Sequence, residues 1–522
     1  MSFVTSNYSY TGDFQWNKGS DLLVGNADTT LGNSISNANQ HNLNTSLDMR
    51  KLYRYIGIKK ASKRSKTSRS KSKKFNLKDF GIGLITSVNR MQINYSEGNS
   101  SFLPGYLPTP GFLGTLRPTA GYTFGSQRDI RRISAQNGWL TTFDQFNQQY
   151  TETHTQNIDF NINMEPISDL KIDLNGGKTY ATNFTETFNA VGNTYNSLIQ
   201  NTFGNFNIST ILIKTAFSQS DENKSAPFEE FKSNRLVIAN RLAQNFYGAN
   251  GYNTDAEGYP EGFGKNSQAV LLPAFLAAYS GKKSNKISLN AFREIPIPNW
   301  TLKYTGFMKN KWFKKRFRRF SLTHGYNASY TINQFRTNLD YNAADSNIDY
   351  ESQNPNTKDQ SDNYKVQTLY SNINLVEQFS PLVKIDFEMK NSVKVTAEIK
   401  KDRSLSLSFD NNLLTEIHGN EYIFGLGYRI KDLKIRSKLA GPRKIIKSDL
   451  NMKADISMRN NKTIIRYLDL DNNQVSAGQT IWSMRYAADY AFSKNLTAIF
   501  YFDYAFSEYA ISTAFPQTTI RS

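Results

Sequence analysis

Residues 496–506 have the sequence LTAIFYFDYAF. In a β-strand, successive side chains point to opposite faces, so every second residue lies on the same face. One face of this segment would carry Leu496, Ala498, Phe500, Phe502, Tyr504 and Phe506. The other face would carry Thr497, Ile499, Tyr501, Asp503 and Ala505. The segment predicts a strand with one apolar, mostly aromatic face, and the fold depends on what that face contacts.

The same period-two alternation recurs along most of the chain. On its apolar side are, among others, Trp300, Leu302, Tyr304, Trp482, Met484, Tyr486 and Tyr490. Near residue 160, the residues Ile158, Phe160 and Ile162 alternate with Asn157, Asp159 and Asn161. The pattern gives about sixteen candidate strands, several of them joined by short polar turns. Because strands do not alternate with helices, it excludes α/β folds and predicts an all-β, antiparallel protein.

The composition excludes several functional classes. The 522 residues include no cysteine, which rules out disulfide scaffolds, thiol catalysis and cysteine-based metal sites. The segment YPEGFGKNS at 259–267 lacks a glycine and a hydroxyl residue that a phosphate loop needs. The segment DLDNNQVSAGQT at 469–480 lacks the glycine and the final glutamate of a calcium loop. We therefore expect neither an enzyme nor a bound cofactor or metal.

The net charge of +19 is concentrated in two short runs. KKASKRSKTSRSKSKK at 59–74 has no aromatic residue and is typical of a solvated loop. KNKWFKKRFRR at 309–319 combines cations such as Arg316, Arg318 and Arg319 with aromatic residues. This second run is either a solvated turn or a loop whose cations contact lipid phosphates. Because no nucleic-acid-binding module is recognisable, we expect no nucleic-acid partner.

Three features favour a transmembrane barrel over a soluble β-protein. Many strands have about ten residues or more, as a tilted strand needs to cross a bilayer. Aromatic residues cluster near strand ends, and the opposite face has the polar residues that a water-filled lumen tolerates. We expect a lipid-facing surface formed by Trp300, Tyr304, Trp482, Tyr486, Tyr490, Phe500, Phe502 and Tyr504. We expect Asn157, Asp159 and Asn161 to face the lumen.

Two segments interrupt the strands, which predicts five regions. These are strands with a basic loop (1–96), a Pro/Gly-rich loop with a short helix (97–150), strands (151–220), a helical insertion (221–285) and strands (286–522). The Pro/Gly-rich loop is a candidate gate or partner-docking element through Phe102, Pro104, Tyr106, Pro108 and Phe112; alternatively, it packs over a sheet edge or a pore wall. A short helix is predicted from about Gln127 to Asn137, ended by Gly138. In the insertion, Phe228, Phe231, Ile238 and Leu242 have the spacing of one helical face.

Several longer segments resemble one known family. They are FLPGYLPTPGFLGTLRPTAGYTFGSQRDIR (102–131), TFGNFNISTILIKTAF (202–217), FKSNRLVIANRLAQ (231–244), LPAFLAAYSGK (272–282), RFRRFSLTHGYNASYTINQF (316–335) and YAISTAFPQTTIRS (509–522). In this order they resemble the C-terminal part of the Sov/SprA proteins. These are the translocons of gliding motility and type IX secretion in Bacteroidetes, and the resemblance extends through essentially the whole chain.

The resemblance implies a fold and a function. Members of the family are very large outer-membrane barrels of roughly 36 strands at the cell surface of Gram-negative bacteria. They export folded cargo proteins, and their partners include a PorV-type shuttle barrel and a periplasmic plug protein. No catalytic residues carry over. Because this chain is far shorter and has no recognisable export signal, we expect a C-terminal fragment whose strands form part of a larger barrel.

Two other functions remain open from the sequence. The chain could form a self-contained porin for small solutes, or it could be a soluble β-rich binding protein. In the translocon interpretation, an isolated arc would have two unpaired strand edges, and each unpaired backbone group in lipid costs several kcal/mol. We therefore expect such an arc to close, to aggregate, or to be completed by further strands.

Overall fold

The computed structural model describes residues 3–19, 30–58, 86–111, 117–341, 354–437, 444–470, 473–492, 495–511 and 515–521. The basic run at 59–74 and the candidate gate residue Phe112 lie outside these ranges.

The described chain consists mainly of long strands. They are β1 (Val4–Asn17), β2 (Asn33–Asp48), β3 (Val88–Tyr106), β4 (Gln149–Ile167), β5 (Leu170–Val191), β6 (Thr194–Ser209), β7 (Asn299–Tyr304), β8 (Phe317–Thr337), β9 (Asn354–Lys358), β10 (Tyr364–Lys365), β11 (Thr368–Tyr370), β12 (Asn372–Met389), β13 (Val393–Ser408), β14 (Leu413–Ser437), β15 (Lys444–Tyr467), β16 (Asn473–Ala491), β17 (Thr497–Tyr509) and β18 (Gln517–Arg521).

Helices are confined to the connections. They are α1 (Met49–Tyr55), α2 (Ala120–Thr123), α3 (Arg131–Gln136), α4 (Ala226–Tyr247), α5 (Gln268–Ser280) and α6 (Lys311–Arg316), with single 3-10 turns at Gly248–Asn250 and Gly306–Lys309. Pro227 lies in the first turn of α4, where its missing N–H has no partner to lose. Gly281, in the left-handed conformation with φ of +62°, ends α5.

Sixteen of the strands form one antiparallel sheet, while β9 and β10 form a separate pair. The sheet runs in the order β1-β2-β3-β4-β5-β6-β8-β12-β13-β14-β15-β16-β17-β18, with β7 and β11 attached beside this path. Among the described residues, β1 and β18 each pair on one side only. The all-β, antiparallel fold of about sixteen strands with helical insertions is thus confirmed.

The strand register separates the sheet into two chemically different faces. Directly paired residues lie on the same face, so the pairs Phe424–Ile456, Ile456–Met484 and Met484–Tyr504 extend one apolar row across four strands. We call the exposed apolar residues of this face the apolar band. Its exposed members include Val4, Tyr8, Leu43, Ile93, Val383, Ile399, Tyr422, Phe424, Leu426, Tyr428, Ile456, Trp482, Met484, Phe500 and Ile520. The opposite surface is called the polar face.

Two helical insertions cover the same face as the band, at the other end of the strands. The first insertion (107–148) packs α2 and α3 over residues such as Ile35, Leu103 and Phe188. The second insertion (210–298) packs α4 and α5 over β6, β8, β12 and β13. Most of α5 is buried, including Phe275.

The predicted helical face in the second insertion is confirmed. Phe228, Phe231 and Ile238 are buried in α4, and Leu242 packs partly buried against the same core. Because these apolar residues need a covering surface, the helix lies against the sheet and not in solvent.

The second insertion interrupts one strand position of the sheet. Both β6 and β7 lie between β5 and β8, since Ser209 at the end of β6 is opposite Ser329 and Trp300 in β7 is opposite Tyr326. The two strands therefore act as halves of a single strand, and the 210–298 segment leaves the sheet between them. This insertion is longer than the predicted 221–285.

The structure corrects the predicted start of the Pro/Gly-rich loop. Residues Phe102, Pro104 and Tyr106 belong to β3, and Pro104 is opposite Ser34 of β2 next to a register shift. A proline fits here because pairing with β4 has already ended at Phe102. The short helix predicted from Gln127 begins later, at Arg131, and Gly138 follows its end with φ of +67°.

Candidate functional site: a wall with an apolar band and a polar face

The apolar residues of the band are solvent-exposed on β1 to β3 and from β12 onward, and half-buried apolar residues continue the same face across the strands between them. Phe424, near the middle of the sheet, is 51% exposed although both cross-strand neighbours on its face are apolar. Soluble monomers rarely expose contiguous apolar patches larger than a few hundred Å². A band that spans this many strands therefore requires an apolar environment, and it is the main feature to be explained.

The height of the band fits the hydrocarbon core of an outer membrane. On β14 the band extends over residues 422–430, with Ile430 opposite Leu450 of β15. About nine residues with a rise of roughly 3.3 Å each, tilted by about 40°, span roughly 23 Å. Outward apolar bands of membrane barrels are about 25 Å tall.

The proposed lipid-facing residues share the face of the band, with two differences in environment. Register places Trp482, Tyr486, Phe500, Phe502 and Tyr504 in one cross-strand patch, and Trp300 and Tyr304 on the same face of β7. Trp300 stacks on Tyr326 with 4.5 Å between ring centroids, so it lies against the helix-covered core. Tyr490 is buried, and its hydroxyl donates hydrogen bonds to the carbonyls of Leu433 and Ile446.

The proposed lumen-facing residues lie together on the polar face. Asn157, Asp159 and Asn161 are exposed on β4, opposite in direction to the half-buried Ile158 and Phe160. The polar face also contains a recess of about 520 Å³ lined largely by polar side chains, which include the amides of Asn94, Asn161, Asn175, Asn207 and Asn327 and the carboxylate of Asp159. This part of the surface is strongly polar but has little net charge.

Further along the sheet, the polar face has a network of alternating charges. Lys384 contacts Glu398 at 3.0 Å, and Lys400 contacts Glu421 at 3.2 Å. Arg459 extends the network to Asp402 at 3.4 Å. Opposite charges next to each other on paired strands compensate each other, and these side chains remain partly exposed to solvent. The polar face is thus suited to a water-filled space.

Buried charge pairs fasten the second insertion to the sheet. Arg466 donates from Nε to Glu416 Oε2 at 2.7 Å, and both side chains are fully buried. The guanidinium also donates to Ser220 Oγ at 3.0 Å and to the carbonyl of Asp221 at 2.9 Å. Since Ser220 and Asp221 belong to the insertion, this network joins the insertion to β14 and β15.

A second buried ion pair, two strands away in the sheet, also joins the insertion to the sheet. Arg403 of β13 lies 2.9 Å from Glu377 of β12, and it donates two hydrogen bonds to Thr215 of the insertion, at 3.0 Å to the carbonyl and at 2.9 Å to Oγ1. Tyr326 completes the network by donating its hydroxyl to Glu377 at 2.9 Å and accepting from the backbone N–H of Leu212 at 2.7 Å. Both partners of each pair are charged and hydrogen-bonded, which a buried ion pair needs for stability.

The first insertion is held by an equivalent contact. Arg131 of α3 donates to Glu186 of β5 at 2.5 Å, and Glu186 also accepts from Tyr195 and Gln200. Burial opposes ionisation of the neighbouring Asp129, but hydrogen bonds from Arg131 outweigh this effect and keep the Asp129 pKa below its usual value. In α2, burial raises the pKa of the Tyr122 hydroxyl to about 12. These groups therefore keep one protonation state near neutral pH.

The sequence contains a signal for the second buried pair. Arg403 lies at an alternate position with Leu405 and Leu407, so it interrupts an apolar stripe on its own face. A charged residue within such a stripe indicates a covered polar contact.

Two of the candidate gate residues, Tyr106 and Pro108, make contacts in the described structure. Tyr106 is buried and contacts Trp139 with 6.4 Å between ring centroids. The carbonyl of Pro108 accepts a hydrogen bond from Trp16 Nε1 at 3.2 Å. These contacts hold Tyr106 and Pro108 against neighbouring aromatic residues, and the role of the segment as a gate or partner-docking element stays a prediction.

Side chains satisfy the backbone where the sheet is interrupted between β6 and β7. Asn299 accepts from the backbone N–H of Ala328 at 2.9 Å through Oδ1, and its Nδ2 donates to Asn327 Oδ1. Ser209 Oγ accepts from the backbone N–H of Gly177 at 3.2 Å. These side chains replace the ladder hydrogen bonds that the departing chain no longer provides.

Within the described residues, no group of histidine and acidic side chains is arranged to hold a metal ion. In the same residues, no helix combines the length and apolar character needed to cross a membrane.

Comparison with known proteins gives only distant similarity. No family model and no curated protein matches the chain. Similar solved structures include the RagAB peptide transporter, at 8% identity over 97% of this chain and 49% of the other, with a TM-score of 0.27. The RagAB peptide importer in its open-open state has 7% identity, 98% and 49% coverage and a TM-score of 0.29. BauA, the ferric preacinetobactin receptor from Acinetobacter baumannii, has 8% identity, 96% and 61% coverage and a TM-score of 0.24.

The chain thus spans about half the length of the two RagAB structures. Similarity at these TM-scores assigns no function to it.

Replacing Arg466 with Met should destabilise the protein by about 3–5 kcal/mol, because Glu416 would stay buried without its cation. The double variant Arg466→Met/Glu416→Leu should recover most of this loss. Arg459→Met, which removes a cation of the exposed network, should cost at most about 1 kcal/mol. Urea unfolding of the full chain in detergent measures all three, and an Arg466→Met midpoint equal to that of Arg459→Met would contradict the role of the buried pair.

Replacing Asn299 with Ala should open the sheet locally at the interrupted strand. The backbone N–H of Ala328 would lose its acceptor, at a cost of about 1–3 kcal/mol, so its hydrogen exchange should accelerate roughly tenfold. Asn205→Ala on the same face of β6 is the matched control, since that side chain is exposed. Equal exchange at Ala328 in both variants would show that Asn299 does not support the backbone there.

Proposed function

We propose that the chain forms part of the wall of an outer-membrane transport barrel in a Gram-negative bacterium. The observation that carries this proposal is the apolar band, whose height matches a membrane core and which lies opposite a polar face. Hydrocarbon would cover the band, and water or cargo would contact residues such as Asn157, Asp159 and Asn161. Transport would be passive conduction with no catalytic step, gated by loops or by accessory proteins.

In finer detail, we propose that this wall belongs to a type IX secretion translocon that also supports gliding motility. The support is the resemblance of six segments to the Sov/SprA proteins, with the secreted cargo, the PorV-type shuttle barrel and the periplasmic plug protein as partners. The unpaired sides of β1 and β18 fit this proposal, since strand edges in lipid must be paired. Further strands would complete the barrel.

A self-contained porin is the second candidate. The fourteen strands along the path of the sheet are an even number within the range of bacterial outer-membrane barrels, so the chain would form a pore of its own if the two edges of the sheet pair with each other. A small pore would admit small solutes and would exclude folded proteins, so the two candidates differ in what passes through them.

Adjacent residues on β14 test whether hydrocarbon contacts the band. Phe424→Lys places a cation in the band and should cost about 2–4 kcal/mol of stability in a bilayer. Ile423→Lys places the same cation on the polar face and should cost much less, because the cation stays in water. The measurement is the urea midpoint of the full chain refolded into lipid vesicles.

Equal midpoints for the two β14 variants would contradict a lipid-facing band. So would a compact monomer of the unmodified chain in detergent-free buffer, which is the behaviour of a soluble β-protein.

Engineered cysteines test the translocon proposal, because the chain has none of its own. Asn161→Cys on the polar face should form a disulfide with a single-cysteine cargo in transit, but only when that cargo has its C-terminal secretion signal. Phe160→Cys, on the other face of the same strand, is the control. The readout is the cross-linked band from outer membranes, and cross-linking that ignores the signal or is absent at Asn161 would contradict translocon function.

A further inference from the structure

A short basic helix lies at the border of the apolar band. Helix α6 follows β7 after one 3-10 turn, and Asn310 caps it by accepting from the backbone N–H of Trp312 at 2.8 Å. Trp312 is 51% exposed, and the guanidinium of Arg316 lies over its ring at 4.2 Å. An exposed indole beside cations suits neither a protein core nor open water.

Aromatic packing joins this helix to the end of the band. Phe313 contacts Phe307 and Phe320 with 5.3 and 5.0 Å between ring centroids. Phe320 stacks in turn on Phe387 at 5.9 Å, and these two residues are directly paired between β8 and β12 on the face of the band. The helix is therefore held at a fixed height relative to the band.

The cations around α6 fall into two groups. Arg318 and Arg319 both contact Glu388, at 3.2 and 3.3 Å, and Lys309 contacts Asp169. By contrast, Lys311, Lys314 and Lys315 are exposed and pair with no carboxylate of the described residues. The three lysines of the second group therefore have positive charges that are not compensated by an acidic side chain of the described residues.

The same end of the strands has similar features at two other places. Helix α1 follows β2 and presents the exposed cations Arg50, Lys51 and Arg54 next to the exposed Tyr55 and Ile56. The register from β2 to β8 puts α1 and α6 at the same end. The start of the β14–β15 hairpin adds the exposed Lys431 at this end. We call α1, α6 and Lys431 the basic rim.

We propose that the basic rim binds the phosphate groups of anionic phospholipid headgroups. Cations and aromatic rings at the border of an apolar band match the two parts of an interface, charged headgroups above and hydrocarbon below. Connections at this end are mostly short, as on the periplasmic side of outer-membrane barrels, so the inner leaflet supplies the lipid. The inference rests on the proposed function, since it needs the band to lie in a bilayer.

The expected effect of the three free lysines is large enough to measure. Each cation near an anionic surface strengthens binding by about fivefold at low salt, so three of them contribute roughly 100-fold. This gain should decrease as salt rises, because exposed charges are screened over about 10 Å.

The test uses the full chain with vesicles of phosphatidylcholine alone or with phosphatidylglycerol added. The variant Lys311→Gln/Lys314→Gln/Lys315→Gln should lose about 100-fold of the affinity gained from phosphatidylglycerol, measured by flotation at low salt. The control Lys282→Gln/Lys283→Gln/Lys286→Gln removes the same charge from exposed lysines of the second insertion and should keep the gain.

The outcomes distinguish a failure of the basic-rim inference from a failure of the proposed membrane function. Two results would overturn the role of the basic rim and leave the apolar band intact. One is stable insertion into both vesicle types with no gain in affinity from phosphatidylglycerol, and the other is an equal loss of affinity in the two triple variants. Failure to insert into any vesicle would instead overturn the proposed function, and the rim with it. The assignment to inner-leaflet phospholipid would also be refuted if lipid A raised the affinity and phosphatidylglycerol did not, or if the basic rim bound only an acidic protein.

Discussion

The cross-strand register, which keeps apolar and polar side chains on separate faces, is the constraint on which the rest of this structure depends. A strand alternates its side chains between two faces, so a slip of one residue would exchange the faces along its whole length. On β13, such a slip would put Lys394 and Glu398 in the band and would move Val395 and Ile399 to the polar face. The pairing avoids this along β13, and at the shift between Phe379 and Val383 of β12 the two residues on either side still share a face. The separation of an apolar band from a polar face is therefore a collective property of all the strands.

The apolar face is covered by the helical insertions at one end of the strands and, in the proposed membrane setting, by hydrocarbon at the other end. The buried charge pairs lie at the border between these two regions. Along β13 this face carries Ile399 in the band, then Arg403, and then Leu405 and Leu407 under α5. A soluble core covers the last two residues, whereas in the proposed membrane setting hydrocarbon covers the first. The charged residues between them contact polar groups of the insertion, so the insertion is positioned by hydrogen bonds where apolar packing alone would let it slide along the sheet. This specificity has a cost in desolvation, which the contact between opposite charges and the hydrogen bonds to the insertion offset.

Features that follow from local periodicity were predictable, and those that follow from long-range pairing were not. Period-two alternation identifies the strands and their two faces, and the spacing of Phe228, Phe231 and Ile238 identifies the buried side of α4, because each is a property of neighbouring residues. The extent of β3 differs from the prediction because the effect of a proline depends on its neighbours: Pro104 is tolerated since the pairing of β3 with β4 has already ended at Phe102. In the same way, the Arg466–Glu416 pair joins residues 50 positions apart, and no short-range pattern specifies it. The burial of Tyr490 depends equally on a hairpin that the strand itself does not encode.

The position of the second insertion follows from the same physics that produces the band. A chain that leaves a sheet frees backbone donors and acceptors, which cannot remain unpaired in hydrocarbon. Here the interruption lies between Ser209 and Asn299, just before Trp300 begins the apolar row of β7, and the side chains of Ser209 and Asn299 pair with the freed backbone groups. An interruption only a few residues further into β7 would place irregular backbone inside the band. A sheet of this kind can therefore carry a large insertion without unpaired backbone groups in the band, but only if the insertion leaves the sheet at the edge of the band.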